Sequence, residues 1–164
     1  MKKLFPPKIL KGAEISEDGK YRYSLFRIWD KKLPTVTFIG LNPSTADAEN
    51  DDPTMRREIA FAKLWGYGGL YKGNLFAFRA TKPKDLKAEK FPVGDRNNEI
   101  LEELISKSEI VIAAWGIHGS YKYRDMEVKT LIGKKLHYLT KNKDNTPGHT
   151  LYLKGDLKPI KWGA

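Results

Sequence analysis

The feature that most constrains the fold is a short apolar, β-branched run at residues 36–40 that stops abruptly at a polar loop. Such a run is typical of a buried β-strand. Asn42-Pro43 ends it, because proline lacks the N–H that a strand ladder needs and restricts the residue before it. Ser44, Thr45 and Asp47 follow within a few positions. Because ligands of α/β proteins bind at the carboxyl ends of strands, we predict a site in this loop.

Strand-like and helix-like segments alternate along the rest of the chain. The predicted strands are residues 21–29, 36–40, 70–78, 109–116 and 136–139, with a final extended segment at 149–153. The predicted helices start at Asp52-Pro53-Thr54, after a cap at Asp95, and at Tyr121, and Gly66 ends the first. This alternation predicts a three-layer α/β domain with a mostly parallel central sheet and helices on both faces. The short connection at 30–34 predicts antiparallel pairing of the first two strands.

The length of 164 residues fits one domain with a single core. Residues 1–20 are rich in lysine, proline, glycine and glutamate. We predict that they form an extension that packs on the domain edge without a core element. Residues 21–164 are then the single α/β domain.

Composition excludes several classes of protein. The chain has no cysteine, and its three histidines, His118, His137 and His149, lack metal-ligand spacing. We therefore expect no metal and no other cofactor. No apolar stretch could span a bilayer, and Met1-Lys2-Lys3 precedes no signal-peptide core. We expect a cytoplasmic protein without a membrane partner.

The charge balance favours an anionic partner. Thirty Lys+Arg against 20 Asp+Glu give a net charge of +10. Such an excess attracts phosphate-rich ligands such as nucleic acid or a small nucleotide. Lysine-rich charge also serves solubility alone, so both interpretations stay open at this point.

Polar residues also mark the next two strand ends. Asn74 lies inside an apolar run, and its amide offers a donor and an acceptor side by side, as reading a base edge requires. A bond to neighbouring backbone explains it equally well. Residues 115–120 include Trp115, Gly116 and His118 and form a glycine-containing turn that can present N–H groups to a phosphate.

Charged residues near the first loop leave further alternatives. Asp51 and Asp52 could pair as metal ligands or as acid and base, but a helix cap is the stronger interpretation of Asp52. Arg56 and Arg57 oppose the dipole of the first helical turn, and we predict that one of them faces an anion in the site. His149 follows a Pro-Gly turn and is either functional or an ordinary exposed histidine.

Several motifs together resemble the bacterial and phage family catalogued as domain of unknown function 1643, across about residues 21–162. They are Asn42-Pro43-Ser44-Thr45-Ala46-Asp47, Asp51-Asp52-Pro53-Thr54 with Arg56-Arg57, Trp65-Gly66-Tyr67-Gly68-Gly69-Leu70, Asn74-Leu75-Phe76-Ala77 with Arg79-Ala80-Thr81, and Ala113-Ala114-Trp115-Gly116. The usual ending of the family resembles Pro-x-His-Pro-Leu-Tyr-Leu. Here Thr150 stands in place of the second proline, which bears on the geometry around His149.

The order of motifs is also similar, more distantly, to the uracil-DNA glycosylase superfamily, which implies that fold and a base-binding site. By this resemblance Gly40-Leu41-Asn42-Pro43 is the loop that holds the hydrolytic water, Asn74 reads the base, and His149 stabilises the departing base. Asn42 and His149 are then the expected catalytic residues. The expected ligand-binding residues are Gly40, Leu41, Pro43, Ser44, Thr45, Asp47, Arg56, Asn74, Phe76, Arg79, Trp115, Gly116 and His118.

Two functions follow from this resemblance, and a third keeps only the fold. The first is a nucleobase-recognising enzyme that removes a base from DNA. The second is a non-catalytic binder that sequesters a nucleotide or a cyclic-nucleotide signal, for example in phage–host defence. Asn42 cannot take a proton from water as an aspartate would, and this, with Thr150, favours the binder. The third is a protein-interaction module.

Overall fold

The computed structural model describes residues 8–163, which form a mixed seven-stranded sheet with helices packed against it. The strands are β1 (Leu10–Ile15), β2 (Arg22–Ile28), β3 (Thr35–Gly40), β4 (Gly69–Asn74), β5 (Ile110–Ala113), β6 (Leu136–Tyr138) and β7 (Ile160–Lys161). The α-helices are α1 (Pro53–Leu64), α2 (Pro83–Ala88), α3 (Asn97–Lys107) and α4 (Arg124–Ile132). Short 3₁₀ segments occupy Ile117–Tyr123 and Gly133–Lys135.

The strand order is β1-β2-β4-β3-β5-β6-β7, with β3 at the centre. β3 pairs parallel with β4 and β5, and β5 pairs parallel with β6. The pairings β1–β2, β2–β4 and β6–β7 are antiparallel. The α/β prediction is confirmed, but the prediction of a mostly parallel sheet is wrong because the sheet is mixed.

The predicted pairing of the first two strands is also wrong, since β4 lies between β2 and β3. Gly68 explains the insertion. Its carbonyl accepts the N–H groups of Trp29 and Asp30, and its own N–H donates to Pro34 O. A Cβ at this position would overlap the carbonyl oxygen of Asp30, so only glycine lets the incoming strand pass between the two segments.

Residues before Tyr21 contribute more than predicted, because β1 is an edge strand paired with β2. Its side chains are exposed or half-buried, so it carries little of the apolar alternation that marks a strand. The first seven residues of the predicted extension lie outside the described part of the chain. The predicted extended segment at 149–153 is instead a turn, with Tyr152 at φ +69°.

The start of α1 is confirmed, since the Asp52 side chain accepts the Met55 N–H at 2.8 Å. Asp95 does not cap α3, because the residue before the helix is Arg96, which makes no capping bond. A 3₁₀ segment occupies the predicted first turn of α4, where Tyr121 has ψ 128° and cannot continue a helix.

Side chains of β3 alternate between two apolar cores, one on each face of the sheet. Phe38 packs with Phe61 of α1. Ile39 packs on the other face with Leu101 of α3 and Val128 of α4. The helices therefore cover both faces, and the carboxyl ends of the parallel strands open at one edge. Within residues 8–163, no helix has the length and apolar character needed to cross a membrane.

Candidate functional site

A cavity of about 540 Å³ opens where β3, β4 and β5 end. Among the described residues, buried side-chain atoms of Arg22, Asn74 and Trp115, all in its wall, have no hydrogen-bond partner. Polar atoms buried without partners are rare in proteins and each needs an explanation. The lining is formed by Arg22, Gly40, Leu41, Asn42, Ser44, Asp52, Thr54, Met55, Lys72, Asn74, Ala80, Thr81, Pro83, Trp115, Gly116, Ile117, His118, Asn142, His149 and Leu151.

Gly40, the last residue of β3, forms part of the floor. A Cβ there would lie 3.0 Å from Lys72 Nζ and 3.1 Å from Asn74 Oδ1. Both side chains come from β4, whose residues pair in parallel with β3. Glycine at this position leaves room for these two polar groups, which any larger residue would displace.

Asn74 ends β4 with its amide turned into the cavity wall. The residue is 1% exposed, and neither Oδ1 nor Nδ2 has a partner within residues 8–163. Its backbone, in contrast, is fixed. Asn97 Nδ2 donates to Asn74 O and Leu75 O, both at 3.0 Å, and Leu75 N donates to Gly40 O. The amide is thus rigidly placed and unpaired.

Lys72 and Glu58 form a buried ion pair beside Asn74. Lys72 Nζ lies 2.9 Å from Glu58 Oε1, and Thr150 Oγ1 donates to Glu58 Oε2 at 3.0 Å. Glu58 is fully buried. This pair connects β4, α1 and the segment that follows Gly148, which carries His149.

His149 lies at the mouth of the cavity. Its Nδ1 accepts the Leu151 N–H at 3.1 Å. The residue keeps a large solvent-exposed surface, but nearby protein atoms remove part of the water around its imidazole ring. Burial and, secondarily, the nearby Lys72 ammonium lower the pKa of His149 below its ordinary value, and Glu58 and Asp52 only partly oppose this. This lowering of the pKa favours the neutral form of the His149 imidazole.

Two buried arginines of β2 hold the loop that follows β3. Arg22 Nη1 donates to Ala46 O at 2.8 Å, and Arg27 Nη2 donates to Asp47 O at 2.6 Å. Arg27 Nε also pairs with Asp51 at 2.8 Å. Burial lowers the pKa of Arg22 to about 10, so it stays charged at neutral pH beside the cavity.

The segment after β5 closes the opposite wall. Gly116 has φ +74° and ψ −165°, a conformation essentially restricted to glycine, and its N–H donates to Pro147 O at 2.9 Å. Trp115 is 2% exposed, and its Nε1 has no partner in the described chain. Across the cavity, Asn42 Nδ2 donates to Ala80 O at 2.6 Å, so its amide N–H₂ is held by backbone.

In a comparison with protein families, the model described as Protein of unknown function (DUF1643) matches residues 22–151. The match spans most of the chain. The protein belongs to the DUF1643 family. No curated protein and no solved structure matches it significantly.

In this DUF1643 protein, the structure brings many of the sequence-predicted site residues together around the cavity. Those in the lining are Gly40, Leu41, Asn42, Ser44, Asn74, Trp115, Gly116, His118 and His149. Thr150, at the position where the resemblance noted in the sequence has a proline, is buried and directly follows His149. Its hydroxyl donates to Glu58, a bond that proline could not make.

Other predicted residues of the DUF1643 protein lie outside the lining: Pro43, Thr45, Asp47, Arg56, Phe76 and Arg79. Asp47 accepts the N–H groups of Asn50 and Glu49 within its own turn, and these bonds lower its pKa. Arg56 is exposed and donates to Asp51 O. Phe76 is fully buried in the core, and Arg79 Nη1 donates to Gly19 O.

Arg57 does not line the cavity either; its guanidinium lies over the Phe61 ring. Asp51 is engaged by Arg27, and Asp52 caps α1 while Oδ2 accepts the Ala46 N–H at 3.3 Å. Within the described residues, no three His, Asp or Glu side chains gather as a metal site requires. The sequence favoured a helix cap as the role of Asp52, and the structure shows that cap.

Sequence reasoning missed Arg22, Lys72 and Glu58. Lys72 could have been found, because a lysine in the middle of the apolar run 70–78 has no solvent face to occupy. Glu58 lies three residues after Met55 and four before Ala62, on the apolar stripe of α1. A lysine and a glutamate both set in buried positions indicate a buried pair.

Proposed function

We propose that this DUF1643 protein recognises a nucleobase or nucleotide in the cavity, with the Asn74 amide reading the edge of the base. The observation that carries the proposal is the buried Asn74 side chain, whose donor and acceptor both lack partners within the described chain. A buried amide left in this state costs about 1–3 kcal/mol. A base that offers a complementary acceptor and donor side by side would recover that cost.

The volume and lining of the cavity suit a small organic ligand such as a nucleobase or nucleotide. Its volume of about 540 Å³ lies in the range of small-ligand sites. Leu41, Met55, Trp115 and Leu151 supply apolar surface around the Asn74 amide. Ligand pockets typically combine such apolar walls with a few fixed polar groups.

Charge supports a ligand that carries phosphate. The Arg22 guanidinium is buried beside the cavity, and the chain has a net charge of +10. The Asp52 carboxylate lines the cavity, and it already accepts hydrogen bonds from two backbone N–H groups. An anionic nucleotide is therefore favoured over a cationic ligand at this site.

Hydrolysis of an N-glycosidic bond in DNA, within a uracil-DNA-glycosylase-like fold, is a second candidate. It would need a water aimed at the sugar carbon and a donor to the leaving base. His149 lies at the mouth of the cavity, where it could stabilise a departing base, but Asn42 in the first loop can only position a water and cannot take its proton. The Asp52 and Glu58 carboxylates are already bonded, which removes the usual general bases. Binding without turnover is therefore the leading proposal.

Calorimetry and thermal shift against free bases, mononucleotides, dinucleotides, cyclic dinucleotides and uracil-containing DNA test the proposal. We expect saturable binding of one small nucleotide that changes little between low and high salt and yields no product. Binding to DNA that weakens with salt and releases a free base would establish the second candidate instead.

Asn74→Ala and Asn97→Ala are the matched variants for this screen. Both remove a buried amide, but only Asn74 faces the cavity without partners. Loss of binding in Asn74→Ala, in a protein that melts as the wild type does, supports the proposal. Undiminished binding in Asn74→Ala, or no nucleotide binding by the wild type, would overturn it.

A further inference from the structure

A second cavity, of about 520 Å³, lies beside the first residues of β2 and does not share a lining residue with the first. Its walls carry three carboxylates and three aromatic rings, and no lysine or arginine of the described chain lines it. The lining consists of Ser16, Glu17, Asp18, Tyr21, Tyr23, Phe91 and Asp95. In a chain with a net charge of +10, this is a local reversal of charge.

Contacts among its own residues hold the aromatic wall together. The rings of Tyr21 and Tyr23 are stacked, with centroids 6.2 Å apart and planes at 11°. Tyr21 Oη donates to Phe91 O at 2.8 Å, which fixes the Phe91 loop against the pair. Gly94 has φ +88°, and its backbone lies close to the Tyr23 ring. A Cβ at residue 94 would lie only 2.9 Å from Tyr23 Cε1. Asp95 follows Gly94 directly and lines the cavity.

Tyr23 has a polar atom available for a ligand. The residue is 7% exposed and lines the cavity, but its hydroxyl makes no hydrogen bond with any described residue. The Glu17 and Asp95 carboxylates likewise make no ion pair within the described chain. Asp18 differs, because it accepts bonds from Ser16 Oγ and Lys20 N. Three unengaged acceptors therefore surround an aromatic surface.

We propose that this cavity binds a guanidinium group, carried by a free small molecule or by an arginine side chain. A planar cation gains from stacking over the tyrosine rings. Its N–H donors suit the Glu17 and Asp95 carboxylates and the Tyr23 hydroxyl, all of which can accept. Guanidinium is favoured over ammonium, because its planar group can contact an aromatic ring while its fork of donors bonds to more than one acceptor.

The test uses the whole protein titrated with N-acetyl-arginine amide, followed by NMR and calorimetry. N-acetyl-citrulline amide is the matched ligand, since it replaces the guanidinium with a neutral group of nearly the same shape. We expect saturable binding of the arginine compound, with shifts at Tyr21 and Tyr23, and no saturation with the citrulline compound. A tripeptide Gly-Arg-Gly that binds more tightly would identify a peptide as the source; equal affinity would identify a free cation.

Variants separate this site from a general charge effect. Tyr23→Phe removes only the hydroxyl and should weaken binding by roughly threefold to tenfold, the equivalent of one hydrogen bond. Asp95→Asn should weaken it at least as much. Glu102→Gln, an equal loss of charge at an exposed position of α3, should leave it unchanged. Equal weakening by Glu102→Gln, equal binding of citrulline, or no saturation would overturn the proposal.

Discussion

Lys72 Nζ lies 2.9 Å from Glu58 Oε1, and Thr150 Oγ1 donates to the other oxygen of the same carboxylate. Both charged side chains are withdrawn from solvent. A carboxylate in such a place is tolerated only while a cation and a donor face it. One buried charge pair therefore attaches the segment carrying His149 to the sheet.

Glu58→Ala should destabilise the protein by about 3–5 kcal/mol, because it leaves the Lys72 ammonium buried without a counter-charge. Urea unfolding at pH 7 measures the loss. The double variant Glu58→Leu/Lys72→Met should recover most of it, since neither charge remains. The exposed pair Glu103–Lys107 is the control, and Glu103→Ala should change stability by less than about 1 kcal/mol. A double variant as unstable as Glu58→Ala would contradict this interpretation.

Asn74→Ala should lower the unfolding free energy by no more than about 1 kcal/mol and could raise it, because no hydrogen bond is lost and an unpaired buried amide is removed. Asn97→Ala should cost about 1–3 kcal/mol, because it deprives Asn74 O of its side-chain donor. Denaturant unfolding of the two variants side by side makes the comparison. If Asn74→Ala were the less stable of the two, Asn74 would be a structural amide.

Gly40→Ala should impair the site more than the fold. The new Cβ would lie 3.0 Å from Lys72 Nζ and 3.1 Å from Asn74 Oδ1, so both groups must move by a few tenths of an ångström. We expect nucleotide affinity to fall roughly tenfold, or about 1.4 kcal/mol. Calorimetry measures this, with Gly155→Ala, whose Cβ meets nothing nearer than 3.7 Å, as the control. Unchanged affinity would show that the ligand does not depend on these two groups.

His149 should make the protein less stable in acid. Its pKa is lowered in the folded state, so below about pH 6.5 the unfolded chain binds more protons than the folded one. The stabilisation is complete above that pH and is lost as the pH falls through the folded-state pKa. Unfolding free energies at pH 7.5 and pH 5 should therefore differ more for the wild type than for His149→Gln. Parallel pH profiles would show that His149 titrates freely.

Much of the fold could be predicted because local signals agreed with the final packing. Asp52-Pro53 marks the start of α1, and the apolar run before Asn42 marks the central strand. The position of β4 could not be predicted, because it depends on contacts between distant segments. Gly68, just before β4, hydrogen-bonds to both Asp30 and Pro34. Pattern alone favoured the shorter hairpin connection.

The residues that line the cavity could be predicted where they follow a strand. They could not be predicted where their position depends on contacts with distant segments. Gly40, Asn74 and Trp115 all follow from strand ends. Arg22 lies at the same edge because β2 runs antiparallel to β4; the predicted strand direction was right, but the sequence did not indicate that β2 pairs with β4. Arg56 was expected to face an anion, but its guanidinium bonds to Asp51 O within the turn.

Arg22 lines one cavity, and its neighbours Tyr21 and Tyr23 line the other, so the two lie back to back across a single strand. The Arg22 N–H donates to Ala77 O at 2.9 Å. This amide can exchange its proton with solvent only when the start of β2 separates from that carbonyl. Filling either cavity should slow the exchange, because each ligand binds the closed strand.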